Sequence, residues 1–178
     1  MLKILAIVGA VLVAVVGGVL IYATTQPDTF RVARTQNIKA PPAKIYALIN
    51  DFRSWPGWSP YEKKDPAMKR TLSGPPAGRG AVYAWDGNSD VGQGRMEIIE
   101  TNPASKVTIK LDFIRPFEGH NTAEFTLTPG GDATSVTWAI HGPMPFVSKV
   151  ICLFIDMDKM IGRDFEVGLA NLKAAAES

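Results

Sequence analysis

The sequence predicts an α+β fold in which a curved antiparallel sheet wraps around a long C-terminal helix, preceded by one transmembrane helix. Three observations predict it. An unbroken apolar run extends from Ile4 to Tyr22. From Met68 to His141 apolar and polar residues alternate between Gly and Pro breaks, which is the pattern of successive strands. From Val150 to Leu172 apolar residues recur at three- and four-residue spacing, which makes the stripe of an amphipathic helix.

At 1.5 Å per residue, a helix over the first run is roughly 28 Å long, close to the roughly 30 Å hydrocarbon core of a bilayer. Lys3 would also suit a secretory signal. A signal's apolar region is shorter, however, and cleavage after Ala23 would place bulky Ile21 where a small residue is required. No cysteine follows the run, which excludes a lipoprotein signal. The organisation read from the sequence is an uncleaved anchor over residues 1–23, a linker over 24–29 and one domain over 30–178. The protein is then single-pass, with its soluble domain extracytoplasmic, because the charged start favours a cytoplasmic amino terminus. Arg31, Arg34 and Lys39 pull the other way under the same rule.

The segment 30–39 reads as a strand that Ala40-Pro41-Pro42 ends, since proline removes a ladder donor. Pro42 suits the first turn of a helix, and Ile45, Leu48 and Ile49 follow at helical spacing, giving a helix to about Asn50. Trp55-Pro56-Gly57-Trp58-Ser59-Pro60 allows at most a short helix before Pro56. Strands are expected near 68–73, 80–86, 92–101, 106–114, 119–128 and 134–141, forming an antiparallel meander. Val107, Ile109, Leu111 and Phe113 share one face of their strand, and Val136, Trp138 and Ile140 share one face of theirs. The same parity turns Ala123, Phe125 and Leu127 inward, and Asn121 with them. After Gly142-Pro143-Met144-Pro145, one continuous helix is expected from about Phe146 to Ala176. These elements compose a helix-grip architecture.

Charged residues at 20% and apolar ones at 46% suit one good core. A net charge of +2 without a Lys/Arg run does not make a nucleic-acid surface. Cys152 is the only cysteine, so no internal disulfide, Cys-rich metal site or dithiol motif is possible. His120 and His141 fall on the solvent parity without a second metal-ligand residue at suitable spacing. Asp156 with Asp158, and Glu97 with Glu100, read as solvated faces because spacing alone provides no desolvated cleft. Gly78-Arg79-Gly80 and Gly92-Gln93-Gly94 lack the strand-to-helix setting of a phosphate loop and read as turn glycines. The sequence therefore assigns no catalytic residue, no metal and no cofactor.

Several segments together resemble a known family. They are Ile38-Lys39-Ala40-Pro41-Pro42-Ala43-Lys44-Ile45-Tyr46, the Trp55 to Pro60 turn, Gly80-Ala81-Val82-Tyr83-Ala84-Trp85, Gly92-Gln93-Gly94-Arg95-Met96 and Phe165-Glu166-Val167-Gly168-Leu169-Ala170-Asn171-Leu172. The chain from Phe30 to Glu177 is similar to the polyketide cyclase/dehydrase-like branch of the SRPBCC (START-like) superfamily. That resemblance implies an apolar cavity between the long helix and the concave sheet. It also implies a hydrophobic small-molecule ligand such as a lipid, a quinone or a polyketide-like compound.

The residues are compatible with the cavity that the resemblance implies, and they supply candidates for its lining. Trp55 and Trp58 are placed at a mouth, Tyr83 and Trp85 on one strand, and Met96 and Ile98 on the next. Asn121, Phe125 and Trp138 follow, with Phe154, Met157, Ile161 and Phe165 from the helix. Large apolar side chains supply affinity in such pockets, and one or two polar groups set orientation. Asn121 is the polar candidate. The expected function is a membrane-tethered binding protein for a hydrophobic small molecule, with no assigned protein partner. A cyclase- or dehydratase-type enzyme and a non-ligand interaction module at the membrane are the alternatives.

Overall fold

The computed structural model describes residues 1–178, apart from the side chain of Leu2. The apolar run forms α1 (Leu2–Thr24), long and apolar enough over Lys3–Thr24 to cross a membrane. Its side chains are largely exposed, including Ile4, Val8, Val11, Leu12 and Val15. Thr24 and Thr25 cap its end by donating to the carbonyls of Ile21 and Tyr22.

β1 (Thr29–Ile38) leads into α2 (Pro42–Asn50), whose N-terminus is set by Pro41 and Pro42. A 3₁₀ turn follows over Phe52–Gly57, capped by the Asp51 carboxylate accepting from the Arg53 backbone N–H. It carries Pro56 inside it, so the tryptophan-bearing turn is more ordered than the two prolines suggest. The short helix α3 (Pro60–Lys64) starts at another proline. Six strands then run as a meander: β2 (Lys69–Ser73), β3 (Val82–Asp86), β4 (Gln93–Asn102), β5 (Lys106–Arg115), β6 (Gly119–Gly130) and β7 (Ala133–Pro143). β1 adds beside β7, giving one sheet of order β1-β7-β6-β5-β4-β3-β2. The strands from β2 to β7 pair antiparallel with their chain neighbours, as alternation and tight turns dictate.

The end of the chain departs from the sequence reading. The expected single helix from Phe146 is two helices, α4 (Phe146–Cys152) and α5 (Met157–Glu177). Neither Gly nor Pro marks the break. The segment from Val147 to Ile155 is rich in β-branched residues, which lose rotamer freedom in a helix. The α4 ladder runs out in short turns from Leu153 to Val150 and from Phe154 to Ile151.

The chain forms two compact units, one of Met1–Phe30 with Pro143–Met157, the other of Arg31–Gly142 with Asp158–Ser178. In the first, α1 and α4 pack together. Ala23 is buried, the Met144 N–H donates to the Asp28 carbonyl, and Lys149 pairs with the Asp28 carboxylate at 2.6 Å. The second unit holds the sheet, α2, α3 and nearly all of α5, and its core lies between these helices and one face of the sheet. Ile45 and Ile49 of α2, Val107 and Ile109 of β5, and Leu169 and Leu172 of α5 are all at or near zero exposure there. The chain thus has the helix-grip fold, a curved seven-stranded antiparallel sheet with a C-terminal helix.

Candidate functional site

Directly paired residues on antiparallel strands point to the same side of a sheet, so the register defines rows across the inner face. Val107, Phe125 and Trp138 form one row, and Ile98, Ile109, Ala123 and Ile140 the next. Tyr83, Met96, Leu111 and Asn121 form a third. Trp85, Gly94, Phe113 and Gly119 form the fourth.

The first row is filled by aromatic packing. Trp138 lies between Phe125, with centroids 4.9 Å apart, and Phe165 of α5, 4.1 Å away with the planes within 9°. Trp58 meets both Phe125 and Trp138 edge-on at 5.9 and 5.7 Å, and Trp55 packs on Trp58 at 4.8 Å. Each such pair contributes about 0.5–1.5 kcal/mol beyond burial. The Trp55 indole N–H donates to the Ile49 carbonyl and that of Trp58 to the Leu48 carbonyl, which fastens this turn to α2. Trp55 and Trp58, expected at a mouth, are therefore buried plugs, because their N–H groups close the end of α2 while their rings fill the closed end of the core. The buried Trp138 indole N–H has no hydrogen-bond partner. Its opposite edge, at Cζ3, is turned to Gly168.

Burial falls toward the third and fourth rows. Along β5 it runs from 0% exposure at Val107 and Ile109 to 9% at Leu111 and to a half-buried Phe113. On β4, Ile98 is at 0% while Met96 is half-buried. On β6, Phe125 is at 0% and Ala123 at 5%, while Asn121 is half-buried. The inner face is thus packed at one end and partly exposed at the other. Tyr83 and Trp85 are buried there as a floor. Trp85 is fixed by its N–H to the Val91 carbonyl and by an edge contact with Phe113. The Asn121 side chain lies over Gly142, where a Cβ would collide with it, and its amide makes no hydrogen bond among the described residues. Ile161, one turn before Phe165 on α5, is also half-buried.

Two phenols flank the inner face, Tyr61 beside the packed row and Tyr83 in the third. Tyr61 of α3 is half-buried and meets Trp138 edge-on; desolvation and then the Asp164 charge push its pKa well up, so it stays protonated. The buried Tyr83 hydroxyl donates to Glu62 Oε1 at 2.6 Å, and Arg70 donates to Glu62 Oε2 at 2.6 Å. Desolvation first, then the Glu62 hydrogen bond and charge, raise the Tyr83 pKa against the smaller opposing effect of Arg70. Glu62 escaped the sequence reading because an acid in a five-residue, lysine-rich helix looks like surface.

The predicted lining residues thus separate into three groups. Trp55, Trp58, Ile98, Phe125, Trp138 and Phe165 are in the packed interior, with Ile161 half-buried one turn before Phe165 on α5. Tyr83, Trp85, Met96 and Asn121 share the two open rows. Phe154 and Met157 belong to the other unit, with Phe154 at 75% exposure. Leu111 and Phe113 share the two open rows as well. A separate recess of about 100 Å³ is lined by Phe52, Leu72, Pro75, Pro76 and Val82 among others, and shares none of these residues. His120 is exposed and bonded to Asp112 at 2.8 Å. Among the described residues no cluster of three or more His, Cys, Asp or Glu is arranged for a metal.

Residues 29–177 match the family model described as "Polyketide cyclase / dehydrase and lipid transport". The chain belongs to that family. No curated protein matches the sequence. A crystal structure of a protein from Chromobacterium violaceum is similar at 16% identity and TM-score 0.59, covering 86% of this chain and 99% of its own. The di-domain ARO/CYC StfQ of the steffimycin biosynthetic pathway is similar at 13% identity and TM-score 0.63. There, 84% of this chain covers 51% of the neighbour, so the chain spans about half of StfQ. The Aha1 dimer from Colwellia psychrerythraea gives 19% identity, TM-score 0.57 and coverages of 83% and 96%. At these identities the likenesses show the fold alone.

Proposed function

We propose that the sheet-bearing unit binds a hydrophobic small molecule, a lipid, quinone or polyketide-like compound, at the open end of its inner face, and that α1 tethers the protein to a membrane. The observation that carries this reading is the loss of burial along β4, β5 and β6. It leaves Met96, Phe113 and Asn121 half-exposed on a face whose other end is packed with aromatic rings. Apolar walls with one unbonded amide are what an amphipathic ligand needs: area for affinity and a single polar contact for orientation. The family's description, which includes lipid transport, supports the same ligand class. The soluble part is proposed to be extracytoplasmic, which protease protection of sealed vesicles tests.

A second reading, a cyclase- or dehydratase-type reaction, has one observation in its favour: Tyr83, a phenol kept protonated, stands on the same row as Met96 and Asn121. Its O–H already donates a hydrogen bond to Glu62, however, and both Glu62 oxygens are occupied. That arrangement suits a fixed floor better than a proton donor aimed at substrate, so binding is the preferred reading. Saturable binding of a fluorescent acyl or quinone probe, lost in Phe113→Asp with the fold retained, supports it. Equal binding by that variant overturns the site.

A further inference from the structure

We infer that α4 and the turn after it form a second membrane contact, a short amphipathic element that seats the protein on the lipid surface beside the end of α1. The inference rests on α1 acting as the membrane span and adds to it.

The polarity of α4 is reversed relative to a helix on a water-soluble surface. Its one charged residue, Lys149, is turned inward, 7% exposed, and held by Asp28. Its outward residues are apolar: Phe146 at 45%, Val147 at 68% and Ile151 at 40% exposure. Phe154 at 75% and Ile155 at 47% continue the patch past the helix end. Large apolar side chains scattered singly on a surface are ordinary, but five within ten residues form a contiguous patch of the kind that marks an interaction site.

The occupant follows from where the patch is held. α1 and α4 belong to one compact unit and pack together. Asp28 is four residues past the end of α1, a reach of roughly 14 Å at most. It accepts from the Met144 N–H through its carbonyl and from Lys149 through its carboxylate. The start of α4 is thereby fixed within the depth of the headgroup region that borders the span. Interfacial helices bury an apolar face there by about 5–10 Å. A lipid surface needs no matching polar partners, and the exposed patch offers none.

Spin-label depth measurement on the full chain in phosphatidylcholine liposomes tests this. In a Cys152→Ser background, labels are placed by Phe154→Cys, by Glu118→Cys as the aqueous reference, and by Val11→Cys in α1. The inference predicts a ratio of oxygen to nickel-chelate accessibility at Phe154 severalfold above that at Glu118 and approaching that at Val11. A deep Val11 with Phe154 equal to Glu118 overturns the second contact and leaves the tether intact. A Val11 label in water removes the span and this inference with it. Spin–spin broadening at Phe154 that vanishes on dilution with unlabelled protein shows a second copy on the patch, which also overturns the lipid assignment.

Discussion

The Trp138 and Phe165 rings lie 4.1 Å apart with their planes within 9° of parallel, which fastens α5 to β7, next to the β1 edge of the sheet, and closes the inner face at that level. Phe165 is 2% exposed. Phe165→Ala is expected to cost about 3–5 kcal/mol, from lost burial and the void left behind. Met96→Ala, at a half-buried position, is expected to cost less than about 2 kcal/mol on the same scale. Urea unfolding of the two variants measures the contrast. Equal costs would mean that the open end is as tightly packed as the closed one.

Gly162 is a buried helical glycine whose Cβ would run into the Arg34 guanidinium. Arg34 uses that space to reach Asp158 at 2.9 Å and Glu166 at 2.8 Å, joining β1 to α5. Gly→Ala within a helix normally stabilises by about 0.5–1 kcal/mol. Here Gly162→Ala is expected to gain less than that, because the Arg34 guanidinium must swing away from its exposed partners, while in an Arg34→Ala background it is expected to stabilise by the full amount. A double-mutant cycle reads the difference.

The alternating strands were legible because Val107, Ile109, Leu111 and Phe113 obey period two without exception, and one face of β5 is buried. The break between α4 and α5 was not. Val150, Phe154, Met157 and Ile161 keep helical spacing straight through it, and periodicity reports a stripe whether or not a turn interrupts it. The same stripe drew Phe154 into the expected lining although it is exposed. Parity brought Asn121 to the open row, but parity carries no measure of how burial decays along a strand. It therefore did not separate Met96 from Ile98, or the plugs Trp55 and Trp58 from a mouth. Glu62 gave no sequence signal, because only the fold brings it to Tyr83.

Tyr83→Phe removes a hydrogen bond to a buried carboxylate. The expected loss is about 1.5–3 kcal/mol, the range for hydrogen bonds to charged groups. Thermal and urea unfolding measure it. A change within experimental error would mean that Arg70 alone satisfies Glu62.

The Arg34 hydrogen bond, and then its charge, hold the Asp158 pKa below the ordinary aspartate value despite slight desolvation. A depressed folded-state pKa contributes stability that is fully present above the unfolded-state value. That contribution is lost as pH falls through the folded-state value. Asp158→Asn should therefore flatten the fall in stability between roughly pH 5 and pH 2 and change the slope little near neutrality. Because Asp158 is well exposed, the effect should shrink at high salt. An unchanged acid limb would show the pair to be screened out in solution.

The central claim is that a hydrophobic ligand occupies the open end of the inner face, and photolabelling of the full chain in lipid nanodiscs tests it most directly. A diazirine-bearing fatty acid is incorporated, irradiated, and its adducts mapped by peptide mass spectrometry. The account predicts adducts at Met96, Phe113 and Asn121 that a non-photoreactive acyl competitor removes, in addition to non-competable adducts along α1. Adducts confined to α1 and to Phe146–Ile155, with none that the competitor removes, would contradict it.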